Sequence, residues 1–266
     1  MNILGIETST RRASLAIARG GALLREAVLP EGGNPSARLV PALERLLREC
    51  ALSPAAVDGI AVGTGPGSFT GIRIGLATAR GFSIARGTPI RGICGFDNLI
   101  AGIAYPVRGP GGGGKESGCP PLRVCAVVDA YSYGLYAAVY EREAGGYRRA
   151  GGPFVCKPDD LPGRAAGEVF FTGPHLGKFR EALAGLFGAR AKFDAEDRFP
   201  TAASAALLYD DPVALRDDPP GTVSPLYLLP GVRVKAAARQ RPAAGRQQRR
   251  HRHRRRRHRH RQQHRV

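Results

Sequence analysis

The sequence contains no tryptophan, and its first 232 residues contain a single histidine, His175. A His-x-x-x-His metal site therefore cannot form within that region. The five cysteines are odd in number and include no Cys-x-x-Cys pair, so neither a structural zinc site nor a disulfide framework is supported. We predict that all five are buried or idle thiols, namely Cys50, Cys94, Cys119, Cys125 and Cys156.

Long apolar runs are also missing. No stretch reaches the roughly eighteen apolar residues of a membrane span, and the amino terminus lacks a basic segment followed by an apolar one. These absences predict a soluble cytoplasmic protein without a membrane partner. The first 230 residues are long enough for one or two domains with a sizeable core.

Acidic residues are absent from residues 233–266, which hold 14 arginines and one lysine. The rest of the chain has 25 basic and 22 acidic residues, a net charge of +3, so the total of +18 is mainly a property of this tail. A segment of this composition cannot bury apolar surface, and we predict a disordered Arg/His-rich tail over residues 231–266. Two interpretations stay open: an adventitious extension, or a polybasic arm that binds phosphates, including those of tRNA. His260 and His264 have metal-ligand spacing, but no core orients them, so no metal site is predicted.

The most informative segment that is present runs from residue 63 to residue 81. An apolar strand leads into a Gly- and Pro-containing turn at residues 65–68, and a helix follows. Backbone N–H groups at such a helix start favour an anion. Within the helix, small residues recur every fourth position and predict a face that another backbone can approach closely, either inside the protein or on a partner: Gly71, Gly75 and Ala79.

Two strand–acid–hairpin patterns surround this segment in the chain. The first is an apolar strand that ends at Glu7 and is followed by three hydroxyl residues, and the second is a strand that ends at Asp129. Asp129 either faces a phosphate or its magnesium ion or caps a turn, and both alternatives stay open. The candidate nucleotide or phosphate residues are Glu7, Thr8, Ser9, Thr10, Gly65, Gly67, Ser68 and Asp129.

Four motifs together resemble the TsaB (YeaZ) family. They are Ile6-Glu7-Thr8-Ser9-Thr10, the run from Gly65 to Gly75, the strand end at residues 128–130 with Leu135-Tyr136 after it, and Pro225-Leu226-Tyr227-Leu228. The resemblance covers about residues 1–230. It implies an α/β, bilobal actin-like fold of the sugar kinase, Hsp70 and actin type, related to RNase H, with two related lobes. The implied organisation is an N-terminal lobe at 1–105, a Gly/Pro-rich connector at 106–121, a smaller second lobe at 122–230, and the tail.

The resemblance also implies a function. Members of the family act as a non-catalytic dimerisation subunit with the related catalytic protein TsaD and the ATPase TsaE, which together place a threonylcarbamoyl group on the adenosine beside the tRNA anticodon. No catalytic residue and no metal site are implied, a homodimer is left open, and tRNA binds indirectly or through the tail. No cofactor is bound tightly, although ATP or ADP with magnesium at the partner interface is left open. The implied partner interface consists of Leu39, Leu43, Leu46, Gly71, Arg73, Ile74, Gly75 and Ala79.

The alternative is a stand-alone ATP-dependent kinase or hydrolase of the actin-like superfamily, using Glu7, the turn at Gly65 and Asp129. Pro174 removes one N–H from the corresponding turn of the second lobe, and no base that would activate an acceptor is evident. His175 is not predicted to be catalytic, because no Gly-x-Ser-x-Gly nucleophile motif accompanies it.

Overall fold

The computed structural model describes residues 1–32, 35–104, 121–210 and 223–228. The predicted tail and nearly all of the predicted connector lie outside these residues, and the predicted domain boundaries stay predictions. The first half of the chain contains β1 (Asn2–Glu7), β2 (Ser14–Arg19), β3 (Ala22–Val28), α1 (Pro35–Glu49), β4 (Gly59–Gly65), α2 (Phe69–Arg86), β5 (Ile90–Cys94) and α3 (Gly95–Ala104). The second half contains β6 (Arg123–Asp129), β7 (Leu135–Glu143), β8 (Gly146–Cys156), β9 (Val169–Thr172), α4 (Leu176–Phe187), β10 (Ala191–Phe193) and α5 (Ala202–Leu207).

The strands form two five-stranded sheets of the same design. In the first sheet the order is β3-β2-β1-β4-β5, and in the second it is β8-β7-β6-β9-β10. In each sheet the first three strands of the chain are antiparallel neighbours, while the fourth and fifth add in parallel on the other side of the first. This duplication confirms the predicted bilobal α/β fold.

Helices cover both faces of each sheet. Apolar residues of α1 and α2 pack on one face of the first sheet, and α5 packs on the other face. In the second sheet, α4 covers one face and α3 covers the other. Thus α3 follows the last strand of the first sheet but packs on the second sheet, and α5 does the reverse. Although α5 lies in the range predicted for the second lobe, its contacts are with the first sheet.

Polar side chains of α3 join the two halves. The Asn98 side chain donates to the Thr201 carbonyl at 2.9 Å and accepts from the Thr201 N–H at 3.0 Å, just before α5 begins. On the neighbouring position, Asp97 accepts from the Tyr140 hydroxyl at 2.6 Å and pairs with Arg149 at 2.5 Å. Because these groups lie at or near the interior, their bonds offset the cost of burying them and fix α3 against both halves. None of the helices in the described part of the chain is both long and apolar enough to cross a membrane.

Candidate functional site

A cavity of about 360 Å³ lies where the two halves meet. The turn between β1 and β2 and the beginning of α2 supply one side, and the end of β6 with the residue before α4 supplies the other. Six of the eight predicted phosphate residues line it: Thr8, Ser9, Thr10, Gly67, Ser68 and Asp129. Sequence reasoning missed several other lining residues, among them Arg11, Arg38, Thr70 and Tyr131.

The hydroxyl-rich turn after β1 is fastened to the start of α2. The Thr8 hydroxyl donates to the Gly71 carbonyl at 2.8 Å, and the Ser68 N–H donates to the Ser9 carbonyl at 2.7 Å. Ser68 also caps α2, since its side chain accepts from the Gly71 N–H at 3.1 Å. The two segments that sequence reasoning treated as separate phosphate motifs therefore form one hydrogen-bonded wall of the cavity.

Glu7 does not line the cavity. Its side chain is fully buried, and its carboxylate accepts from the Ser9 N–H at 2.7 Å and from the Asn98 amide at 3.3 Å. A Cβ at Gly63 would collide with the carboxylate, so Gly63 makes room for it. Burial raises the pKa of Glu7 despite the hydrogen bonds from Ser9 and Thr8 that lower it. Gly65 is likewise buried and absent from the lining.

Asp129 lines the cavity but is engaged on both oxygens. One oxygen accepts from the Tyr131 N–H at 2.8 Å, and the other pairs with Lys178 at 2.6 Å. Asp129 thus caps the turn at Tyr131 while it also lines the cavity. Tyr131 itself has a left-handed backbone, with φ of 57°, and its side chain is exposed at the cavity.

His175 occupies the N-cap position of α4 and lines the same cavity. Burial lowers its pKa, although Asp129 and Asp197 act in the opposite direction. Its Nδ1 accepts from the Asp129 N–H at 3.5 Å, which favours a neutral ring at neutral pH. The residue is held as an acceptor beside the turn of Asp129.

The lining chemistry fits an anion better than a metal ion. It combines the hydroxyls of Thr10 and Ser68 with the guanidinium groups of Arg11 and Arg38. Asp129 is the single acid among the lining residues, and Lys178 already neutralises it. Phosphate oxygens would find donors here, whereas a magnesium ion would find no carboxylate free of a protein partner among the lining residues. In the described part of the chain, no three His, Cys, Asp or Glu side chains converge as metal ligands would.

Most of the predicted partner interface lies in the interior of the protein. The leucines of α1 are between 0 and 5% exposed and pack on the first sheet. A Cβ at Gly71 would collide with the Thr8 carbonyl, and one at Gly75 with the Thr8 hydroxyl, so these glycines let α2 approach β1. Six of the residues predicted for the partner surface have small or apolar side chains that take part in internal packing: Leu39, Leu43, Leu46, Gly71, Gly75 and Ala79. Arg73 is exposed and Ile74 is half-buried.

The outward surface of α2 is built from different residues. Phe69 is 41% exposed and Ile84 is 87% exposed, and Ala77 and Gly81 lie on the same face of the helix. A Cβ at Gly81 would meet no atom within 4 Å. The small residues that recur every fourth position could not reveal this surface, since they mark the side of the helix that its own sheet covers.

The described cysteines do not have the character of nucleophiles. Cys94, Cys125 and Cys156 are buried, and Cys50 is half-buried, all as free thiols. Burial raises the pKa of Cys94 to about 12 and that of Cys156 to about 11, and it raises the pKa of Cys125 as well. A thiol in such surroundings stays protonated at neutral pH and reacts slowly. Cys119 lies outside the described residues.

Comparison with known proteins decides the family. The sequence model described as TsaD, tRNA N6-adenosine threonylcarbamoyltransferase, matches residues 29–183, which is more than half of the chain. The Escherichia coli tRNA threonylcarbamoyladenosine biosynthesis protein TsaB is 28% identical over 235 residues, covering 82% of this chain and 96% of that protein. The chain belongs to the TsaB (YeaZ) family. The matched residues, 29–183, form its TsaD-type domain.

Other TsaB and YeaZ proteins are also similar to this chain, over different shares of its length. The Bacillus subtilis TsaB protein is 34% identical over 101 residues, which cover 38% of this chain and only 44% of that protein. YeaZ from Pseudomonas aeruginosa is 28% identical, has a TM-score of 0.61, and is matched over 78% of this chain and 89% of its own. A second P. aeruginosa structure, of a protein similar to peptidase YeaZ, has 26% identity and a TM-score of 0.64, with 86% and 99% coverage.

Proposed function

We propose that this chain is the non-catalytic dimerisation subunit of the machinery that forms threonylcarbamoyladenosine in tRNA. In this role it binds a TsaD-type catalytic paralogue, acts with a TsaE-type ATPase in the cytoplasm, and holds the paralogue in an active arrangement through differential binding. Support comes from the family and from its relatives in Escherichia coli and Bacillus subtilis, which are tRNA threonylcarbamoyladenosine biosynthesis proteins. One observation supports the absence of catalysis in this proposal: neither acid at a strand end is available for it. Glu7 is buried, and Asp129 is already bonded to the Tyr131 N–H and paired with Lys178.

The partner surface that we propose is the outward side of α1 and α2. Both helices pack on the same face of the first sheet, so their exposed residues form one continuous side of the protein. Large apolar side chains are exposed there, including Val40, Phe69 and Ile84. Exposed apolar residues grouped on one side favour a protein partner. A second copy of this chain is the competing occupant of the same surface.

A nucleotide such as ATP or ADP is proposed as an occasional ligand of the cavity, held by its phosphates. The hydroxyls of Thr10 and Ser68, together with Arg11, are the groups that would contact them. Any magnesium would then need ligands from the nucleotide, from water or from the partner. The tail from residue 231 is proposed to add sequence-independent affinity for tRNA.

Reconstitution tests the function directly. We would incubate tRNA, threonylcarbamoyl-adenylate, TsaD, TsaE and ATP with or without this chain, and measure threonylcarbamoyladenosine by mass spectrometry. Product that requires both this chain and TsaD supports the proposal. Product that forms equally well when the chain is omitted overturns it, and ATP hydrolysis by the purified chain alone would then favour the kinase or hydrolase alternative.

The surface is tested by a pair of glycine substitutions with a matched control. Gly81 in α2 and Gly185 in α4 are both exposed helical glycines with open space around a Cβ. Gly81→Trp places a large ring on the proposed surface, whereas Gly185→Trp places it on the other lobe. We expect both variants to fold, and only Gly81→Trp to lose affinity for TsaD. Equal affinities for the two variants would contradict the proposed surface.

A further inference from the structure

The outward side of α1 and α2 carries an excess of positive charge. The two helices contain six arginines and two glutamates, and α2 contains no acidic residue at all. One of the glutamates, Glu49, already pairs with Arg25 of β3 at 2.6 Å. A partner whose surface carries carboxylates would be complementary to this side, whereas a partner of the same charge would be repelled.

One of these arginines is fixed in place before any partner binds. The guanidinium carbon of Arg73 lies 3.7 Å from the centroid of the Phe69 ring, and its Nε donates to the Tyr227 hydroxyl at 3.2 Å. The rings of Phe69 and Tyr227 also contact each other, with centroids 5.5 Å apart. Arg73 is nevertheless exposed. A long side chain held this way loses less conformational entropy on binding than a free one.

Tyr227 belongs to a short segment, Val223–Leu228, that lies against the first sheet and α2. The Leu226 N–H donates to the Thr64 carbonyl at 2.9 Å, and Arg80 donates to the Val223 carbonyl at 2.6 Å. Val223 is buried in the core beneath α1 and α2, while Leu226 and Leu228 pack against the core around α3. The segment is thus anchored at both ends, which holds the Tyr227 hydroxyl beside Arg73.

We propose that Arg73, positioned by Phe69 and Tyr227, is the anchor of the partner surface and receives a carboxylate of the TsaD-type paralogue. This inference rests on the proposed function and specifies the chemistry of its partner. The planar guanidinium keeps its Nη groups for a carboxylate while Nε is held by Tyr227. The same charge disfavours a second copy of this chain, because a two-fold self-contact would bring the six arginines of each copy together.

The test compares four full-length proteins in binding to the TsaD paralogue by calorimetry, at about 50 mM and about 500 mM salt. They are the wild type, Arg73→Ala, Tyr227→Phe and the control Arg190→Ala, which removes an exposed arginine stacked on Phe187 in the other lobe. We expect Arg73→Ala to weaken binding about tenfold or more at low salt. Tyr227→Phe keeps the ring but loses the hydroxyl, and should weaken binding about threefold.

Salt and the control make the outcomes decisive. High salt should weaken the wild type more than it weakens Arg73→Ala, which keeps five of the six arginines. Arg190→Ala should follow the wild type, since the basic tail is the same in all four. The anchor is overturned if Arg73→Ala matches Arg190→Ala while Gly81→Trp abolishes binding, and the proposed function then stands. If the wild type fails to bind the paralogue, or binds a second copy more tightly at low salt, the proposed partner itself is wrong.

Discussion

The two lobes share a strand order but place the acid at the end of their first strand in opposite situations. Glu7 ends β1 and is fully buried beneath Gly63, whereas Asp129 ends β6 and reaches a partly exposed lysine. A repeated topology therefore fixes where an acid stands along the chain but not what surrounds it. The solvent exposure and the hydrogen-bond partners of each acid are decided by the elements that pack over the strand end. Those elements differ between the lobes.

The helices that pack on the sheets differ in the same way. Glycines at positions 71 and 75 bring α2 into contact with the end of β1. In the second lobe, Phe179, Leu183 and Phe187 of α4 fill the space above the sheet. The contact of α2 with the end of β1 is thus a close backbone approach, whereas α4 packs on its own sheet through large side chains. We therefore expect enlarging a small residue to disturb the first lobe, and shortening a large residue to disturb the second.

The largest effect is expected in the second lobe from Phe171→Ala. Phe171 is fully buried, and its ring lies 5.0 Å from that of Phe187 and 5.6 Å from that of Phe193. Loss of the ring should lower the free energy of unfolding by about 3–5 kcal/mol, measured by urea denaturation. Phe69→Ala, at an exposed phenylalanine of the first lobe, is the control. Equal losses for both would contradict the assignment of Phe171 to the core.

The next largest effect is expected in the first lobe from Gly71→Leu. The new side chain would collide with the backbone carbonyl of Thr8, which cannot move without breaking the turn that it belongs to. We expect a loss of about 1–3 kcal/mol in the free energy of unfolding. The control Gly185→Leu places the same side chain in open space on α4 and should not lower stability. A stable Gly71→Leu protein would show that α2 is not held at close range.

The pH dependence of stability should report on the buried acid of the first lobe, Glu7. Because the folded pKa of Glu7 is raised above its ordinary value, the folded state holds a proton that the unfolded state releases, and stability falls as pH rises between the two pKa values. Glu7→Gln should remove this fall, and stability measured from pH 4 to pH 8 should become flatter. An unchanged slope in the variant would mean that the Glu7 carboxyl does not titrate with a raised pKa.

The sequence predicted the strands that end at Glu7 and Asp129, and the helix that follows residue 68, because apolar or small residues recur there with a clear period. Three elements were missed for physical reasons. The edge strand β8 has polar and glycine residues where alternation is expected, β10 is only three residues long, and α5 is almost uniformly small and apolar. None of these patterns carries a period that a single sequence can show.

The candidate site was predictable in its position but not in its contacts. Hydroxyls after β1 and before α2 were predicted as separate phosphate motifs, and the cavity brings them together. The surface for a partner stays a prediction, because a periodic face of small or apolar residues shows only that a helix face is covered. Whether the cover is the protein's own sheet or another chain depends on packing between distant segments, such as that of Gly75 on Thr8.

The smallest effect sharpens the comparison of the two helices. Gly81→Ala and Gly185→Ala each add one methyl group to an exposed helix, where a Cβ would meet nothing within 4 Å. Both should raise the free energy of unfolding by up to about 1 kcal/mol, as alanine favours a helix over glycine. Stability measured on the isolated protein should therefore not separate the lobes at these positions. If only Gly81→Ala then weakens binding to TsaD, the small size of Gly81 is needed for the partner surface and not for the fold.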